Sequence, residues 1–367
     1  MRPPFFAACL FTLVAAAPLA AQAQPNPEPP PAPENQAVPE NQPPPASQPI
    51  PDTPPPSQRQ APPVDEAQPA LPPIPPWRVL YRNLLVARYN PIGLLDEGAV
   101  LLRARIYQAE AAALRDNFIG FGPTFAASPA FVRGGGLLEL QPLSILNVWA
   151  AFEGVQWFGT SGHLQSFPSA TVAYDDDTLE ARRALPETSS KAPHAVAGTV
   201  ASMGATLQVK VGPIAARLVA KTMTYELDLP NEHRYAYDPV FDVAVAGRKG
   251  GVQAVDADLL WQSADRGRTL GLRWSDVQSL GRVPCLQGST SPDCNPADSD
   301  PPAMTRRAGP LVAWRVWQRE RGSTGTVIGL AQWWLQHRYR AGQVSSQAIP
   351  YVAIGLHVTA DLVAGED

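Results

Sequence analysis

Ser161-Gly162-His163 and Ser166 share one loop-like stretch, and a hydroxyl near an imidazole is the pairing on which acyl-transfer chemistry is built. Catalysis would also need an orienting polar group, with all partners within hydrogen-bond reach, and neighbourhood in sequence does not supply that geometry. Loop composition accounts for the run, so no catalytic residue is assigned and the chain reads as non-enzymatic. Asp175-Asp176-Asp177 could attract a divalent cation, but its spacing is not that of a calcium loop, and a solvated acidic run accounts for it. His337 and His357 fall in predicted strands with no companion ligand set, so no metal is expected. No dinucleotide or phosphate-loop glycine pattern occurs, and no cofactor is expected. Gly134-Gly135-Gly136 lies in a predicted strand, where it eases bending.

Of the three cysteines, Cys9 lies in the apolar part of an export signal and is lost on cleavage, leaving Cys285 and Cys294. They bound the run Cys-Leu-Gln-Gly-Ser-Thr-Ser-Pro-Asp-Cys, and an exported protein matures where thiols oxidise, so a disulfide between them is expected. Two lone thiolates with no histidine nearby would be a poor zinc site.

The elements that must position these groups are strands. Ala201, Met203, Ala205, Leu207, Val209 and Val211 alternate with Ser202, Gly204, Thr206, Gln208 and Lys210, which gives one apolar and one hydrophilic face. The same pattern predicts strands over 100–107, 132–141, 146–158, 199–211, 214–226, 252–261, 269–277, 311–318, 326–337 and 351–361. Ten strands result, and 117–124 and 241–247 as further strands give twelve as the alternative. The predicted joints alternate between short (142–145, 212–213, 265–267, 320–323) and long (109–130, 159–198, 228–250, 280–309, 339–349), the parity of outer-membrane barrels. Tryptophans 149, 157, 261, 274, 314, 317, 333 and 334 fall in or at the ends of these strands, where indoles suit lipid interfaces. The expected fold is all-β: a transmembrane antiparallel up-and-down barrel.

In this register Arg103, Arg105, Arg133, Lys210, Arg217, Lys221, Arg273 and Arg315 share the polar face with Glu139, Glu153, Asp256 and Asp258. A narrow lumen lined this way is either filled by ion pairs or, if open, biased toward anions by its excess of cations. The net charge of −4 and the dispersed basic residues leave no footprint for nucleic acid.

Residues 1–23 read as a signal peptide: Arg2, an apolar run from Phe5 to Leu19 broken by Pro18, and a cleavage site after Ala23. Residues 24–76 shift to Pro, Gln, Glu, Ala and Ser and are expected to be a disordered periplasmic arm, with the barrel at 77–367. The arm is either a spacer or a tether that finds peptidoglycan or a periplasmic protein.

The stretches Arg115–Gly122, Leu140–Leu146, Phe158–Gly162 and His337-Arg338-Tyr339-Arg340 resemble an uncharacterised group of Gram-negative outer-membrane β-barrel proteins. The resemblance covers the chain from Trp77 onward and implies a porin-like barrel in contact with outer-membrane lipid and lipopolysaccharide, long loops outside and both termini periplasmic. It implies no substrate and no catalytic residue. One departure is the end, Leu362-Val363-Ala364-Gly365-Glu366-Asp367, which lacks the terminal aromatic typical of such barrels. The expected function is a narrow channel or passive membrane scaffold, with a structural tether and a barrel lipid hydrolase as the alternatives.

Overall fold

The computed structural model describes residues 74–159, 164–230, 233–281, 303–319, 322–340 and 348–364. Twelve antiparallel strands close into a barrel. They are β1 (Trp77–Tyr89), β2 (Gly93–Ala104), β3 (Phe118–Ala127), β4 (Phe131–Leu143), β5 (Leu146–Trp157), β7 (Val196–Val211), β8 (Ile214–Leu227), β11 (Arg248–Gln262), β12 (Arg268–Leu280), β13 (Met304–Gln318), β14 (Thr324–Gln336) and β15 (Tyr351–Ala364). Each wall strand pairs with its neighbour in sequence, and β1 closes the ring against β15 from Arg78↔Ala364 to Tyr89↔Val352. A small second sheet of β6 (Ser166–Phe167), β9 (Tyr235–Asp238) and β10 (Val243–Ala246) is built from two of the connections. Two helices, α1 (Ala112–Arg115) and α2 (Asp176–Arg183), also lie in connections.

The count of ten is corrected to twelve, and the two additional strands are not the pair expected. The 117–124 candidate is β3. The 241–247 candidate is not part of the wall: it holds β10, whose residues are buried on both faces. The missing wall strand is β1, which the alternation rule passes over for a physical reason. Its inward residues Arg78, Leu80, Arg82, Leu84, Val86 and Arg88 mix charge with apolar bulk, so its inner face is only partly polar and strict alternation is weak.

Outside the barrel, Phe121, Leu138, Phe152, Met203, Leu259, Leu272, Trp314 and Leu335 are each roughly half exposed or more. Apolar side chains of this kind surround the wall, far more than a water-soluble monomer leaves uncovered. Lipid is therefore the solvent of this face, and the protein is a transmembrane barrel of outer-membrane type. The apolar face of β7 read from the sequence is this outer face, with Val211 76% exposed.

Strand parity puts connections 158–195, 228–247, 281–303 and 337–350 on one rim, together with the tight joints 90–92 and 128–130. The other rim holds 144–145, 212–213, 263–267 and 319–323, the start of β1 and the end of β15. The predicted long joint 109–130 is divided: β3 runs through it, and only 105–117, with α1, is left on the short-turn rim.

Wall curvature depends on glycine at one point in the predicted Gly134–Gly136 run. A Cβ on Gly135 would lie 2.0 Å from the Phe152 carbonyl oxygen, whereas one on Gly136 meets nothing within 4 Å. Gly135→Ala is thus expected to destabilise the barrel by about 1–3 kcal/mol through overpacking, and Gly136→Ala to leave it nearly unchanged. Urea unfolding of the two variants in detergent micelles measures the difference.

Candidate functional site

The interior is organised in layers. Toward the short-turn rim and the middle, charges pair between strands, some adjacent and some reaching over a strand between them. Glu139, 1% exposed, takes a hydrogen bond from Arg103 at 2.8 Å and also pairs with Arg82. Asp258 is held by Arg217 Nη2 at 2.7 Å and Arg273 Nε at 2.6 Å, and Arg133 Nε lies 2.9 Å from Glu153. Asp256 accepts from Ser275, which also accepts from the buried Gln332. Opposite charges lining the lumen satisfy each other here because the lumen offers each little water.

Toward the long-loop rim the inward residues become apolar. Phe131, Val155, Trp157, Val200, Met223, Val252 and Val277 form one buried cluster, and the hairpin of β9 and β10 is packed into it through Ala236, Phe241, Val243 and Val245. Strand alternation makes this hairpin two-faced. Its other face, Tyr235, Tyr237, Ala244 and Ala246, packs against Phe167 and Tyr174 of the 158–195 connection. The hairpin is therefore a cap with a greasy underside seated in the barrel mouth and a second layer above it.

One polar cluster pins the cap. Asp242, at the hairpin turn, accepts from Tyr237 Oη at 2.7 Å and from Arg340 Nε at 2.7 Å, and its Oδ2 lies 3.2 Å from His337 Nε2. Arg340 also donates to Asp176 of α2 at 2.8 Å and to Asn90 in the β1–β2 turn at 3.1 Å. Arg338 donates to the carbonyls of Ala170 and Thr171, and Tyr339 stands edge-on to Tyr174. His337-Arg338-Tyr339-Arg340, singled out in the sequence, is thus the clamp that ties the hairpin to α2 and the wall. The acidic run beside it is also more than a solvated patch: Asp175 caps α2 by accepting from Thr178 N at 2.9 Å, and Asp176 takes the clamp arginine.

Burial alone would raise the Asp242 carboxyl, but His337, Arg340 and Tyr237 overcome it and hold it well below the usual carboxylate range. Its folded value thus lies under its unfolded one, so its stabilisation is complete above the unfolded value of about 3.9 and fades only as pH falls through the folded value. The cap is expected to remain seated from about pH 7 to about pH 5, with near-UV circular dichroism unchanged across that range. A loss of tertiary signal in that window would contradict the charge state assigned to the clamp.

Arg103, Arg133, Glu139, Arg217, Lys221, Asp256, Asp258 and Arg273 lie on the inward face of their strands. Lys210 and Arg315 stand at the short-turn rim, bonded to Gln262 and to the Asp265 carbonyl. Arg105 follows β2 and reaches the Ile74 carbonyl at the same rim. Three tryptophans do not serve the lipid interface: Trp149, Trp157 and Trp334 turn inward, Trp157 only 4% exposed. Indole content marks strands but not which face an indole takes. Sequence reasoning missed Arg82, Arg307 and Gln332, and above all the cap, whose short strands carry no one-sided alternation. Cys285, Cys294, Ser161, His163, the signal peptide and all but the last residues of the arm lie outside the described residues.

No protein-family model and no curated protein matches the chain. Solved structures with a similar fold include the translocator domain of the autotransporter NalP from Neisseria meningitidis, at 10% identity and TM-score 0.36, covering 77% of this chain and 88% of that one. OccAB1 of Acinetobacter baumannii matches at 8% identity and TM-score 0.32, over 78% and 96% of the two chains. A loop-deletion form of OmpT, an outer membrane protein of Vibrio cholerae, matches at 11% and 0.32, over 77% and 98%. These are likenesses between outer-membrane barrels and carry no activity to this chain.

The reading of the chain as non-enzymatic is withdrawn. A barrel architecture of itself neither confers nor excludes an activity, so enzymatic status is not established by fold. Within the chain, Ser166 Oγ lies 2.5 Å from His233 Nδ1 and 3.3 Å from His194 Nε2, imidazoles that the sequence placed far from it.

Proposed function

We propose that the protein is a narrow, capped channel of the outer membrane, closed in the conformation described and anion-leaning once the cap is displaced. The observation that carries this reading is the hairpin seated in one mouth above an interior whose arginines and lysines outnumber its carboxylates. A passive scaffold has no need of a separately clamped lid, because ion pairs alone would fill its lumen. The long connections then face outward and the short turns the periplasm, as in barrels of this type. Through-pore anion preference follows from guanidinium and ammonium groups lining the path.

Planar-bilayer recordings test it. Reversal potentials in a salt gradient should favour anions over cations, and Arg217→Gln with Lys221→Gln should reduce that preference several-fold. Unchanged selectivity would show that these groups do not line the ion path. Absence of any conductance, with or without an intact cap, would favour the scaffold.

A further inference from the structure

On its lipid side the short-turn rim is not the same all the way round. Where β11, β12 and β13 reach it, Arg268 stands on the outward face, in step with the lipid-exposed Leu270 and Leu272. Its cross-strand partner is Trp314, 61% exposed, and Trp261, 44% exposed, lies one step diagonally away because it pairs with Leu270. Opposed residues bring their Cβ atoms to about 5 Å and diagonal ones to about 7–8 Å, within reach of long side chains. Arg268 is thus flanked by two indoles that both face lipid.

The cations of this arc are uncommitted. Among the described residues no carboxylate, carbonyl or ring takes the Arg268 side chain, and none takes that of Arg266 in the adjoining turn. Arg266 is held at φ 54°, a left-handed backbone that glycine or asparagine adopts at less cost, so the turn carries a cation where its own geometry favours another residue. Beside them Arg315 and Lys210 bond neutral acceptors, the Asp265 carbonyl and Gln262, which leaves their charge uncancelled. Asp265 is the one carboxylate of the 263–267 turn, and its Oδ1 already accepts from Ser263 and the Gly267 amide. Across the ring the rim is balanced instead: Arg78, Arg105 and Arg115 meet Glu110, Asp116 and Asp361, with Arg78 3.6 Å from Asp361.

A net positive arc bordered by exposed indoles and, further along the wall, by leucines matches an anionic lipid from headgroup to chain. Indoles settle at the level of the headgroups, and basic side chains there attract acidic ones. We infer that this arc binds an anionic phospholipid, with the phosphodiester at Arg266 and Arg268 and the acyl chains along Trp261, Leu270 and Trp314. The choice of phospholipid over lipopolysaccharide rests on the orientation proposed above, which puts the short turns in the periplasm.

Native mass spectrometry of the refolded full-length protein is the test, after release from detergent micelles carrying equal amounts of phosphatidylglycerol, phosphatidylethanolamine and lipid A. Phosphatidylglycerol is expected to be retained about tenfold or more over phosphatidylethanolamine. Arg266→Gly suits the left-handed turn while removing its charge, and should lower that ratio about fivefold, the worth of one basic side chain at an anionic surface. Arg266→Gly with Arg268→Gln should bring it to about one, whereas Arg268→Lys should keep most of it. Trp261→Leu with Trp314→Leu should reduce retention of both phospholipids and leave their ratio unchanged. Equal retention of the two phospholipids by the parent, or a ratio that survives loss of both arginines, overturns the site and leaves the channel reading intact. Retention of lipid A above phosphatidylglycerol, lost with the same two arginines, overturns the phospholipid assignment together with the orientation it rests on. Should the double variant fail to refold, the ratios of the parent and of Arg266→Gly still decide.

Discussion

Arg340→Ala is expected to convert a mostly silent barrel into one that opens often, with open probability in planar bilayers raised about tenfold or more. The clamp arginine joins the hairpin turn, α2 and the β1–β2 turn. Its pair with Asp176 contributes little, since that carboxylate is 68% exposed and water screens it. The pair with Asp242 is different, because both side chains are buried. Removing one partner of a buried pair costs about 3–5 kcal/mol, much of it from the charge left behind. Only about 1.4 kcal/mol of that need fall on the seated state to give a tenfold change in the open population. Asp242→Asn should act in the same direction and less strongly, since the amide can still accept from Tyr237 and His337. Silence in both variants would mean that the apolar underside, with the bonds of Arg88 and Tyr225 to the hairpin, holds the cap without the clamp, and would sink the clamp as a gate.

The second large effect concerns the wall. Glu139→Gln is expected to lower the stability of the refolded barrel by about 3–5 kcal/mol, because Arg103 and Arg82 then face each other without an anion between them. Arg82 is 35% exposed and finds water, so most of the loss should come through Arg103, at 14%. A double variant, Glu139→Gln with Arg103→Gln, should recover part of it, and a urea series in micelles measures both steps. Equal stability of parent and Glu139→Gln would show that lumen water already screens the pair.

How much of this was legible beforehand depends on whether one face of a segment differs from the other. Strands such as β7 are readable because lipid selects Met203, Leu207 and Val209 on one side while the lumen selects Ser202, Thr206 and Gln208 on the other. β1 escapes because its inward face carries both arginines and leucines, which the ion pairs to Glu139 and Asp361 require but alternation cannot anticipate. β10 misleads for the opposite reason: Val243 to Ala246 is apolar on both faces because barrel and loop each cover one, so it reads as strand without revealing that it leaves the wall. The interior charges could be assigned to a face by parity, since parity survives any error in strand count. The clamp could not, because Asp242, His337 and Arg340 are brought together by two connections whose path no local rule sets. The same holds for Ser166 and its two histidines.

The pairing of β1 with β15 has a consequence for biogenesis. The first wall strand has no partner on one side until the last has been delivered, so the closing β1–β15 ladder is the last to form, whatever the order in which the hairpins between them assemble. Until then two strand edges stay open to the surroundings, each a template for wrong associations. A polypeptide lacking β15 would keep both edges for good, and is expected to be a substrate for proteolysis rather than a smaller ring.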